Sequence, residues 1–82
     1  MRARLSDALV LIRTTLLSCG DHPRLEQVLA MLEEAYKGTR PLDVETLEYA
    51  IEVLDEAARI FKVRGCLDYH LLEQAKDVLE GL

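Results

Sequence analysis

The chain has 82 residues, half of them apolar and 30% charged, and carries a net charge of −5 at pH 7. That length gives a single domain, residues 1–82, burying only about 60% of the surface its unfolded form exposes, and the apolar content excludes a disordered polar chain. The charge is uneven: residues 1–42 hold six Lys/Arg against five Asp/Glu, residues 43–82 four against ten, and an acidic half of this kind is repelled by phosphate backbones, which argues against nucleic acid as a partner.

With 16 Leu and eight Ala but only two Pro and four Gly, the composition favours helix over strand. The N-terminal stretch MRARLSDALVLIRTTLLSC has the order of a secretory leader, basic and then apolar, but Asp7 and Arg13 interrupt the apolar run. A leader needs an unbroken one, and an amphipathic helix fits these residues better. No segment approaches the roughly 20 apolar residues of a membrane span. A cytoplasmic protein with no membrane association is therefore expected.

A first helix is expected over about 4–18, burying Leu5, Ala8, Leu9, Ile12, Leu16 and Thr15. Cys19-Gly20 ends it, glycine being the common left-handed stop. Asp21 or His22 then caps a second helix over 23–37, where Pro23 suits the first turn because its missing N–H has no partner there anyway. Its Leu25, Val28, Leu29, Leu32, Ala35 and Tyr36 follow helical spacing, and Lys37-Gly38 closes it. Asp43 caps a third helix over 44–64. Besides its main stripe of Leu47, Ala50, Ile51, Leu54, Ala57, Ala58 and Phe61, it has a second one of Tyr49, Val53, Ile60 and Val63. The apolar face is thus wider than the usual ~100°. Two explanations fit this width: either the third helix is central and touches all the others, which is favoured, or a second copy of the chain covers part of it in a homodimer. Gly65 ends the helix, and Asp68 caps a fourth over 69–80, with Leu71, Leu72, Ala75, Val78, Leu79 and Leu82 facing inward.

Short connections make consecutive helices antiparallel. The expected fold is all-α, a compact antiparallel up-down four-helix bundle. In that topology the first and third connections meet at one end, bringing Cys19 and His22 of SCGDHP beside Cys66 and His70 of RGCLDYH. Two Cys and two His suit tetrahedral zinc, although neither segment has a Cys-x-x-Cys knuckle. A Cys19–Cys66 disulfide needs Cα atoms within ~7 Å. The favoured expectation is plainer: helix punctuation, with two unbridged packing cysteines and no cofactor.

Glu45, Glu48, Glu52, Asp55 and Glu56 put carboxylates three and four residues apart along the third helix. Di-iron bundles require Glu-x-x-His pairs, which are absent, so the stripe reads as a solvated face or a docking surface for a basic protein partner. Arg2, Arg4 and Arg13, without interleaved aromatics, make a poor nucleic-acid patch. No nucleophile elbow or phosphate loop is present, and the chain is not expected to be an enzyme. The Asp-Ser-Leu attachment motif of acyl carrier proteins is missing, Ser6 lying between Leu5 and Asp7. His70, at a helix start beside Tyr69, does not match the mid-helix histidine of phosphotransfer domains. By elimination, a small acidic interaction module is expected: an adaptor, regulator or inhibitor of another protein, including the stand-alone inhibitors that mobile elements encode. The alternative is a metal- or redox-responsive domain built on the Cys19/His22 and Cys66/His70 loops.

Overall fold

Two of the helix starts follow from a side chain, that of His22 or Asp43, which satisfies an orphan N–H of the first turn. In the computed structural model, which describes residues 2–82, α1 runs Arg2–Cys19, α2 Pro23–Lys37, α3 Val44–Val63 and α4 Tyr69–Glu80. His22, not Asp21, caps α2: its Nδ1 accepts from Leu25 N–H at 3.1 Å, with Pro23 in the first turn. At the other end Gly38 takes φ +86°, and the N–H groups of Gly38 and Thr39 donate to the carbonyls of Ala35 and Glu34. Asp43 caps α3, accepting from Thr46 N–H at 2.8 Å. Asp68 sits at the start of α4, but its side chain makes no capping bond. The expected role of that carboxylate is corrected, since its backbone leaves the extended conformation a capping side chain uses (φ −77°, ψ 3°).

The four helices form an antiparallel ring in chain order, about 35 × 22 × 19 Å. Neighbours pack along α1–α2, α2–α3, α3–α4 and α4–α1, with α4 the most closely engaged and the α2–α3 seam the thinnest. This arrangement corrects the favoured expectation that α3 is central. In a square of helices each element has two neighbours, and α3 packs on α2 and α4 rather than on all three others.

The core is fed from every helix: Leu5, Ala8, Leu9 and Ile12; Leu25, Val28 and Leu32; Ala50, Val53, Leu54, Ala57, Ala58 and Phe61; Leu72, Ala75 and Leu79. Phe61 is the largest fully buried side chain. Thr15, one of three buried polar residues among those described, is fully buried and donates its hydroxyl to Leu11 C=O at 2.8 Å, so no polar atom is stranded there. The second stripe of α3 divides. Val53 joins the core, Tyr49 and Ile60 are half-buried, and Val63 is 88% exposed.

Candidate functional site

The end of the bundle that carries the first and third connections is built by two glycine stops. Gly20 (φ +100°) turns the chain out of α1, leaving Cys19 as the last helical residue. Gly65 (φ +83°) does the same after α3, and Cys66 N–H folds back to donate to Phe61 C=O at 3.0 Å. These two turns bring the cysteines together, and Cys19 and Cys66 form a disulfide with Cα atoms 5.7 Å apart. The expectation of unbridged packing cysteines is thereby corrected. Sequence spacing gives no reach between residues 47 positions apart; only the antiparallel return of the chain supplies it.

The histidines of the same loops are otherwise employed. His22 is buried, caps α2 and packs edge-on against Phe61 with ring centroids 5.9 Å apart. His70 is exposed and holds Leu67 C=O through Nδ1 at 2.5 Å. With both sulfurs taken up in the bridge, the four candidates do not form a Cys₂His₂ donor set for zinc. Among the described residues no group of three or more His, Cys, Asp and Glu is placed to hold a metal ion.

The acidic face of α3 separates into two kinds of carboxylate. Asp55 pairs with Lys76 of α4 at 3.6 Å, and Glu56 with Arg24 of α2 at 2.5 Å. Arg24 also lies over the Tyr49 ring, 5.7 Å from its centroid, and Tyr49 hydroxyl donates to Gln27 Oε1. The bond to Tyr49 and the charge of Glu56 together raise the pKa of this guanidinium further, and Glu52 adds a weaker push from longer range. Glu45, Glu48 and Glu52 are exposed and make no hydrogen bond or ion pair among the described residues.

One feature was not singled out from the sequence. Arg59, Ile60, Val63 and Arg64 line an open cavity of about 290 Å³ at the C-terminal end of α3. The apolar half of it was signalled by the second stripe of α3. The arginines were not, because periodicity marks apolar faces and is silent on which cations lack partners.

No family model, curated protein or solved structure matches this chain. Among the described residues, no helix is long and apolar enough to cross a membrane.

Proposed function

We propose that the chain is a small acidic interaction module that regulates, inhibits or adapts another protein by surface binding rather than catalysis, and that its partner presents a basic surface. One observation carries the reading: Glu45, Glu48 and Glu52 lie at i, i+3 and i+7 on α3 and are left without an ion pair, while the neighbouring Asp55 and Glu56 are both answered from within the chain. Like charges at this spacing cost a few tenths of a kcal/mol per pair. A cationic partner relieves that repulsion and is drawn in by the field of a chain of charge −5. The test is affinity capture from the source cells with the wild-type chain and with Glu45→Lys/Glu48→Lys, both exposed positions whose reversal leaves the core intact. The reading expects a protein retained by the wild type and lost by the variant, and its binding weakened by salt. Equal retention by both removes the acidic face from the function.

The disulfide favours a second reading, a redox-responsive domain without metal. Reduction by an external dithiol breaks the Cys19–Cys66 bond, delivers two electrons and two protons, and frees the α3–α4 connection from the end of α1. The two readings also differ in setting. A cytoplasmic location keeps such a bridge reduced most of the time, whereas an oxidising compartment preserves it. Intact mass of the protein from its source discriminates: two daltons below the reduced mass supports a standing bridge, and the reduced mass supports the cytoplasmic expectation.

A further inference from the structure

Among the described residues, five large apolar side chains are exposed, Val10, Leu17, Val44, Val63 and Leu67. Of these Val63 alone lines the cavity, beside half-buried Ile60. Both belong to the second stripe of α3, which enters the core at Val53, is half-buried at Ile60 and emerges at Val63. The charges beside this ridge share a property. Arg4, Arg13, Arg24 and Arg40 each have a partner, at Gly81 C=O, Glu33, Glu56 and Glu34. Among the described side chains, Arg59 and Arg64 are the arginines without a hydrogen bond or ion pair, and both line the cavity. Glu52, seven residues before Arg59 and so on the same side of the helix two turns earlier, is a carboxylate without an ion pair.

We infer that this side of α3 is a twofold interface with a second copy of the same chain, in which Glu52 of each copy meets Arg59 of the other and Tyr49 of each covers the Ile60–Val63 cavity of the other. The register carries the inference. When two identical helices cross antiparallel about a twofold axis, residues equidistant from the axis on the same flank face each other. Positions 52 and 59, and positions 49 and 63, have nearly the same midpoint, next to Glu56, so one axis satisfies the ion pairs and the apolar contacts together. At the axis the two Glu56 carboxylates approach, and each is already held by its own Arg24 at 2.5 Å, which removes the like-charge conflict. Tyr49 is held in place by Gln27 and Arg24, so little side-chain freedom is lost when it docks. A closed, isologous contact uses Glu52 and Arg59 twice each and, being closed, does not propagate into a filament. The interface uses Glu52 but leaves Glu45 and Glu48 toward the outer end of the helix, so it is separable from the basic-partner reading.

The test is sedimentation equilibrium of the full chain, with circular dichroism to establish that each variant is folded; Glu52, Arg59 and Val63 are exposed, so substitution does not disturb the core. A dimer is expected. Arg59→Glu and Glu52→Arg should each weaken it about tenfold or more, and Val63→Asp likewise, since each change acts twice per dimer. The reversed pair Glu52→Arg/Arg59→Glu should recover association, because the swapped charges meet under the same axis. A chain that stays monomeric at millimolar concentration overturns the inference, as does a dimer indifferent to the single variants, or a double variant no tighter than either single one. Glu45→Lys/Glu48→Lys should leave the dimer in place, so a monomeric chain that still captures a partner through Glu45 and Glu48 sinks the dimer and not the partner reading.

Discussion

Cys19 and Cys66 stand 5.7 Å apart between Cα atoms, tying the C-terminus of α1 to the turn that follows α3. A bond across 47 positions removes much of the unfolded chain's freedom, and the chain-entropy relation puts that at about 4 kcal/mol. For a domain of this size that corresponds to a fall in Tm on the order of 20 °C when the bridge is lost. Cys19→Ser/Cys66→Ser, compared with the oxidised wild type by thermal denaturation, should therefore remain helical and melt much earlier. The wild type in excess reductant should match the variant. Equal melting of all three would mean that the bridge restrains nothing the core does not already hold.

Phe61 and His22 form the second tie at this end. Phe61 is fully buried, and the His22 ring lies edge-on to it while capping α2. Truncation to Ala leaves a cavity and costs about 3–5 kcal/mol, against a total of roughly 4–12 for 82 residues. Phe61→Ala should be largely unfolded when reduced, and Phe61→Leu should lose much less. Urea unfolding of both, with and without reductant, checks this. A reduced Phe61→Ala chain with a wild-type midpoint would place the stabilising core elsewhere.

Asp43 couples the start of α3 to pH. The Thr46 hydroxyl and then the Thr46 N–H bond its carboxylate and hold its pKa below the ordinary value. A carboxyl whose folded pKa is depressed contributes stability that is full above its unfolded pKa, about 3.9. That contribution is lost as pH falls through the lower folded value. An NMR titration of the Asp43 carboxyl should have its midpoint below the model-peptide value, with exchange protection at Thr46 lost over the same range. Asn keeps the capping oxygen without the titration, so Asp43→Asn should make that protection independent of acid. A normal midpoint for Asp43 would dissociate the cap from the charge.

The helices were legible because helix ends and apolar spacing are local. Gly20, Gly38 and Gly65 all mark stops and all take positive φ, and Pro23 and Asp43 open α2 and α3 as their chemistry requires. What stayed hidden depended on distance through space. The up-down topology already puts Cys19 near Cys66, but whether their Cα atoms come within bonding reach is a matter of ångströms that loop chemistry does not set. Asp21 and His22 are both competent caps, and the choice fell to His22 because its ring also packs on Phe61. The acidic stripe was read as one surface, yet Lys76 and Arg24 reach in from α4 and α2 and leave only its N-terminal part unanswered.

Gly65 offers a test of what the α3–α4 turn contributes, because its backbone conformation and its surroundings act separately there. A Cβ at this position meets no atom within 4 Å, so any cost of Gly65→Ala comes from φ +83° and not from crowding. A left-handed conformation costs an L-residue about 1–2 kcal/mol, and the turn it supports carries both the Cys66 N–H bond to Phe61 C=O and the position of the disulfide. Gly65→Ala should destabilise the chain by about that amount, and Gly65→Asn by less, since Asn tolerates this region better. The bridge opposes relaxation of the turn, so the loss should show in full only while Cys19 and Cys66 are joined. In reduced protein the turn can shift to a right-handed conformation, and the difference between Gly65→Ala and wild type should shrink. Denaturation of both chains in oxidised and reduced form measures the four stabilities. A penalty that is the same in both states would mean that the turn holds its shape without help from the bridge.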